Sequence, residues 1–260
     1  MSTPGWELRH DAPLLDIGLS RKPDLVRMKA TAPMQPFNDP DLVSHYAEAT
    51  PRRVPGFADL HRMALLLLSE HVSEAAHILV LGAGGGLELK TFAEARPNWS
   101  FVGVDPSAPM LDLAKHVLGP LDSQVTWVHG YVDHAPSGPF DGATCLLTLH
   151  FLPKPERRRV LQDIRRRLSP GAPLMIAHHS FPDGDTPERW LMRSAAFAAG
   201  KPLDGTKAAA SAAGMQQLPL LSTGDEEALL KEAGFSDVAL FYAGFSFRGW
   251  VAVARECLPP

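Results

Sequence analysis

The chain has 260 residues, 45% of them hydrophobic, and a formal net charge of −4 at pH 7. This length is sufficient for one large α/β domain with a buried core. The slightly acidic balance excludes an overall basic field that would attract nucleic acid or an anionic membrane. Two cysteines, Cys145 and Cys257, are too few and too far apart for a disulfide framework or a thiolate metal site. We therefore expect a cytoplasmic protein without a bound metal.

Residues 1–40 contain six prolines, which interrupt helices and predict an extended arm over the domain surface. The first residues lack the apolar core of a signal peptide, and no later apolar run is long enough to span a bilayer. Residues 41–260 are predicted to form the main domain. It should begin with a short helix over 41–49, stopped at Pro51, and an amphipathic helix over 56–72.

The segment His77 to Leu89, HILVLGAGGGLEL, is an apolar run that breaks into glycines and resumes as a helix. We interpret it as a first strand, a ligand-binding loop and a first helix. Glycine has no Cβ, so this backbone can adopt positive φ and press against a ligand. The helix N-terminus behind the loop offers free N–H groups to a carboxylate or phosphate. An ordinary strand-to-helix turn could use the same glycines.

A second strand over 101–104 ends in Asp105, and Ser107 is a credible N-cap for the helix that follows. Two successive strand–loop–helix units predict a parallel sheet. The later predicted elements are strands over 124–128, 140–147 and 173–180, a six-arginine helix over 155–171 with its arginines outward, a helical cap over 186–218, a helix over 222–233, and strands over 238–242 and 245–254. The last two strands should be antiparallel neighbours. The predicted fold is a doubly wound, Rossmann-like, seven-stranded, mostly parallel sheet with one antiparallel strand.

Ligands of such sheets bind outside the carboxyl ends of the strands. Asp105 lies at one of these ends, 23 positions after Gly82, a spacing typical of a carboxylate that accepts hydrogen bonds from ribose hydroxyls. A helix-capping role is the alternative for Asp105. The dinucleotide pattern G-x-G-x-x-G would need a glycine at Leu87, whereas this loop reads G-x-G-x-G, so an NAD oxidoreductase is a distant alternative.

That loop, with VGVDPSAPML and FDGATCLLTLHFLP after it, resembles the class I S-adenosylmethionine-dependent methyltransferases. Within them the chain is most similar to the carboxy-S-adenosylmethionine synthase group, formerly grouped with tRNA methyltransferases. That likeness rests on RRVPGFADLHRMALLLLSE, TLHFLPKPERRRVLQDIRRRLSPG and STGDEEALLKEAGFSDVALFYAGFSFRGWVAVA. It implies S-adenosylmethionine as cofactor and S-adenosylhomocysteine as product.

The resemblance also implies residue roles. Gly82, Ala83 and Gly84 would hold the methionine part, and Asp105 the ribose. The remaining implied cofactor contacts are Pro106 beside the adenosine, Tyr131 and Val132 beside the adenine, Phe57 where the group has a tyrosine, and Leu147 at the end of the fourth strand. Three usual polar residues are replaced, an acidic residue by Val80, an aspartate by Tyr131 and an asparagine by Leu146.

A fourth departure bears on function. The synthase group holds the extra carboxylate of its product with an arginine, but residues 208–228 here contain no arginine or lysine. A buried carboxylate without a cationic partner is costly. We therefore predict plain methyl transfer to a small molecule. The alternatives are a carboxy-S-adenosylmethionine synthase and a non-catalytic protein that binds S-adenosylmethionine.

His150 is the predicted general base or acceptor-positioning residue, followed by His178 and His179 at the next strand end. A packing role for His150 is an equal alternative, since many such transferases work by proximity alone. No membrane or nucleic-acid partner is expected, and a homodimer remains open.

Overall fold

The computed structural model describes residues 37–200 and 214–255. The strands are β1 His77–Leu81, β2 Ser100–Asp105, β3 Val125–His129, β4 Gly142–Leu146, β5 Pro173–His179, β6 Phe235–Gly244 and β7 Phe247–Ala254. They form a single seven-stranded sheet in the order β3-β2-β1-β4-β5-β7-β6. Strand β7 runs antiparallel to both of its neighbours, and the pairs from β3 to β5 are parallel. The predicted fold class is confirmed.

The α-helices are α1 Pro40–Ser44, α2 Tyr46–Arg53, α3 Phe57–Ser69, α4 Leu87–Ala95, α5 Ala108–Leu118, α6 Lys154–Arg167, α7 Pro187–Ala199 and α8 Thr223–Glu232. The predicted stop at Pro51 is wrong, because the Val54 N–H donates to the Thr50 carbonyl and carries α2 past the proline. Most of the predicted arm, and part of the predicted cap, lie outside the described residues. Within the described ranges no helix combines the length and the apolar character that crossing a membrane requires.

Alternation along the strands creates one hydrophobic core on each face of the sheet. In β1, Ile78 and Val80 pack with residues of α3 and α4, whereas Leu79 and Leu81 pack with residues of α6 and α8. Because both faces are covered, only the strand ends remain for a ligand. This arrangement places the loop after β1 at the carboxyl edge of the sheet, beside the loops after β2 and β4.

An ion pair is buried between α6 and α8. The prediction that all the arginines of α6 face outward is wrong for Arg157, whose side chain is fully buried with that of Glu226. Its guanidinium donates to Glu226 and to the carbonyls of Leu152 and Pro219. His178 Nε2 of β5 lies 2.9 Å from the same carboxylate. The contacts with Glu226 and Pro219 come from segments 69 and 62 residues away in the chain, so the helix pattern alone could not indicate them.

Removing one partner of this pair should destabilise the protein strongly, because the other charge would stay buried without compensation. We expect Glu226→Ala to lower the free energy of unfolding by about 3 to 5 kcal/mol. The control is Glu232→Ala on the same helix, which removes a half-exposed partner of Arg158 and should cost about 1 kcal/mol or less. Urea denaturation measures both, and equal losses in the two variants would contradict the expectation.

Candidate active site

A cavity of about 560 Å³ opens at the carboxyl edge of the sheet. The ends of β1, β2 and β4 and the segment after β3 form its wall. The wall includes seven of the predicted cofactor residues, namely Gly82, Gly84, Asp105, Pro106, Tyr131, Val132 and Leu147. Most of the other wall residues are apolar, so the cavity combines a few polar groups with an apolar lining. This composition is typical of a small-molecule site.

The glycine loop needs glycine at two places for different reasons. Gly82 has φ +76°, in the left-handed region that favours glycine. At Gly84 a Cβ would lie 2.7 Å from Asp105 Oδ2 and 2.8 Å from Met110 Cβ. The close approach brings the Gly84 N–H to 3.0 Å from Asp105 Oδ2, to which it donates. The loop is therefore built against Asp105.

Asp105 accepts a second hydrogen bond at its other oxygen, from the Ser107 N–H at 2.8 Å. Burial raises the pKa of Asp105, and the hydrogen bonds from Ser107 and Gly84 partly oppose that rise. Each carboxylate oxygen keeps a further lone pair for a ligand that donates hydrogen bonds. A pair of ribose hydroxyls fits this arrangement, so the residues present are suited to an adenosine.

Of the other predicted cofactor contacts, two follow β3 and two border a second, smaller cavity. Tyr131 and Val132 follow β3, where the Gly130 N–H donates to the Asp105 carbonyl and holds this segment against β2. Phe57 and Ala83 do not line the main cavity. Both border a smaller cavity of about 30 Å³ beside the glycine loop. The two cavities share wall residues, including Gly82 and Gly84.

His150 lies in the short 3₁₀ turn Leu149–Phe151 and is only 5% exposed. Leu149 and Phe151 line the main cavity but His150 does not, and its ring packs against those of Phe151 and His179. Burial, and then the neighbouring His179 and His178, lower the pKa of His150 well below its ordinary value. The ring is therefore neutral near pH 7. To take a proton from an acceptor it would first have to become accessible, and its role as a base stays a prediction.

His178 and His179, the second choices, are buried as well and do not line the cavity. His178 contacts Glu226, and His179 Nδ1 lies 2.7 Å from Ser246 Oγ. Among the described residues no cluster of His, Cys, Asp or Glu is arranged to hold a metal ion.

Sequence reasoning missed two aromatic residues of the wall, Phe37 and Tyr46. The Phe37 carbonyl accepts from Ser107 Oγ at 2.5 Å, and the Phe37 ring packs edge-on against Tyr46 and Phe151. These contacts attach the segment before α1 to the rim of the cavity. The only sequence signal for these wall residues was a tyrosine in a short polar helix.

Comparisons with known proteins agree with this geometry. Residues 78–171 match the family described as Methyltransferase domain. A carboxy-S-adenosyl-L-methionine synthase of Actinobacillus succinogenes is 26% identical over 86% of this chain and 97% of its own length. One of Chromohalobacter salexigens is 26% identical over 82% of each chain. Human N-acetylserotonin methyltransferase in complex with SAM superposes with a TM-score of 0.62 at 15% identity, over 87% of this chain and 60% of that protein.

Strand order, site geometry and the domain match point the same way. Residues 78–171 form a methyltransferase domain, and the described chain has the fold of an S-adenosylmethionine-dependent methyltransferase. S-adenosylmethionine is the cofactor of this class, as the resemblance implied.

Asp105→Asn tests the ribose contact. An asparagine has only one acceptor oxygen, so its amide NH₂ would face either a backbone N–H or a ribose hydroxyl. We expect the dissociation constant for S-adenosylhomocysteine to rise roughly 10- to 100-fold, measured by titration calorimetry. The control is Asp112→Asn, an exposed partner of Lys115 on α5, which should bind as the wild type does. Unchanged affinity in Asp105→Asn would exclude the ribose contact.

Proposed function

We propose that this protein transfers the methyl group of S-adenosylmethionine to a small-molecule acceptor. The observation that carries the proposal is the single cavity in which the Gly82 loop, Asp105 and the segment at Tyr131 face the same space. These groups suit the methionine, ribose and adenine parts of one elongated ligand. The rest of the wall is mostly apolar and offers a surface for a second molecule.

In this proposal each part of S-adenosylmethionine is bound by a different part of the cavity wall. The N-terminus of α4 receives the methionine carboxylate, because its free N–H groups and partial positive charge favour an anion. Asp105 accepts from the ribose, and Val132 packs against the adenine. The bound cofactor supplies a methyl group on a sulfonium, and the transfer is an in-line displacement. The protein accelerates it mainly by aligning acceptor, methyl and sulfur in a space that excludes water.

The acceptor is expected to be largely apolar. Phe37, Met110 and Phe151 contribute apolar side chains to the wall. Helix α7, the described part of the predicted cap, packs against α2, which carries Tyr46 of the wall. A change of sequence in α7 would therefore act on the cavity through α2, which supports a role of the cap in choosing the acceptor. We place the enzyme in the cytoplasm, without a nucleic-acid substrate.

Synthesis of carboxy-S-adenosylmethionine is the second candidate, favoured by the names of the relatives that match most of the chain. The electrostatics of the cavity argue against it. Among the described wall residues Arg159 alone is a lysine or arginine, and it lies on α6 with Glu156 and Asp163 also in the wall. A product with an additional carboxylate would lack a dedicated cation there.

Mass spectrometry of the ligand released from the freshly purified protein distinguishes the two reactions. We expect S-adenosylmethionine or S-adenosylhomocysteine, and we expect the ligand to be absent from Asp105→Asn. A ligand heavier by one carbon dioxide unit would establish the second candidate instead. Absence of any adenosyl ligand, together with no binding of added S-adenosylhomocysteine, would refute both.

A further inference from the structure

The small cavity beside the glycine loop contains a buried carboxylate. Its volume of about 30 Å³ leaves room for roughly one or two groups of the size of water. Glu88, in the first turn of α4, borders it and is only 8% exposed. Glu88 Oε1 has no hydrogen-bond partner within the described chain. An isolated carboxylate in such a place is unfavourable unless a cation or hydrogen-bond donors reach it.

The groups that shift the pKa of Glu88 include no positive charge, and Arg53 of α2 acts on Tyr46 of the same wall but not on Glu88. Burial lowers the pKa of His61 on α3 to about 4, so this histidine is neutral at pH 7. Burial raises the pKa of Tyr46 to about 12, and it also raises that of Cys145. The Thr144 hydroxyl on β4 favours the charged form of Glu88, but only as a dipole. The wall of the small cavity contains no lysine or arginine among the described residues.

The location indicates which cation would fit. The two cavities share Tyr46, Gly82, Gly84, Leu146 and Leu147, so Glu88 lies directly behind the loop that faces the ligand. An amino acid carries its ammonium and carboxylate on the same carbon. If the N-terminus of α4 receives the carboxylate, the first turn of the same helix is the nearest place for the ammonium.

Resting on the function proposed above, we propose that Glu88 binds the α-ammonium group of the methionine part of S-adenosylmethionine. The ammonium has three N–H donors for a carboxylate that has an oxygen unpaired. The sulfonium, the other cation of the cofactor, has no N–H and is surrounded by three carbons. Val80 of β1 borders the same small cavity, so a helix residue supplies there the negative charge that the strand residue lacks.

The proposal has a pH signature. Burial raises the pKa of Glu88 to about 7, with the Thr144 hydroxyl opposing. An ammonium beside the carboxylate favours its charged form, so ligand binding lowers this pKa and releases a proton. The affinity for S-adenosylhomocysteine should therefore fall as the pH falls through about 7. His61 is neutral in this range, and Tyr46 and Cys145 keep their protons, so these neighbours do not add a titration of their own.

The variant Glu88→Gln tests the proposal with two ligands, S-adenosylhomocysteine and 5′-methylthioadenosine, which lacks the amino-acid part. We expect the affinity for S-adenosylhomocysteine to fall roughly 10- to 100-fold, with that for 5′-methylthioadenosine unchanged. Calorimetry in buffers of different ionisation heat should detect proton release on binding to the wild type and none in the variant. The control is Glu94→Gln, an exposed partner of Lys90 on the same helix, which should behave as the wild type.

Equal affinity of Glu88→Gln and the wild type for S-adenosylhomocysteine would overturn the proposal. An equal loss for both ligands would also overturn it, because the change would then act on the site as a whole. Failure of the wild type to bind either ligand would instead refute the proposed function.

Discussion

The site depends on the two hydrogen bonds that Asp105 accepts, from Gly84 of the glycine loop and from Ser107 at the start of α5. They join the loops that follow two neighbouring parallel strands. A third contact, from the Gly130 N–H to the Asp105 carbonyl, adds the loop after β3. One residue thus fixes the relative positions of the groups assigned to methionine, ribose and adenine. The same hydrogen bonds stabilise the charge that burial disfavours, so the carboxylate stays able to accept from a ligand.

The sheet and this part of the site could be predicted because their signals are local. The apolar runs of β1 and β2, the glycines between β1 and α4, and Asp105 at its spacing lie within 29 residues, 77–105. Each follows from backbone sterics or strand burial. The predicted N-cap at Ser107 is another case, because its hydroxyl accepts from the Met110 N–H three residues later. Parallel connectivity then brings the strand ends together without further information.

Features that depend on distant segments could not be predicted. Arg157 looks like a surface residue in an arginine-rich helix, and only α8 and the segment at Pro219 reveal why it is buried. His150 follows a strand end, which favours a site residue, but the 3₁₀ turn presents its neighbours to the cavity instead. Phe37 reaches the wall through a contact with Ser107, 70 residues away. The hydrophobic periodicity of a helix or strand indicates which of its faces is apolar. It does not indicate which of its polar residues becomes buried against another element.

Two buried glutamates show how differently the same side chain can be used. Glu226 has Arg157 and His178 against it, so the chain itself compensates the cost of burying its charge. Glu88 is nearly as buried, and each of the two glutamates has one oxygen without a hydrogen-bond partner, but the wall of the Glu88 cavity contains no lysine or arginine among the described residues. A ligand that brings a cation would compensate the charge of Glu88 only while it is bound. Without ligand, the uncompensated charge of Glu88 lowers the stability of the folded protein. Binding of the ligand raises that stability again. The charge of Glu226 is already compensated by a fixed cation, whereas that of Glu88 is not, and for that reason the environment of Glu88 points to binding.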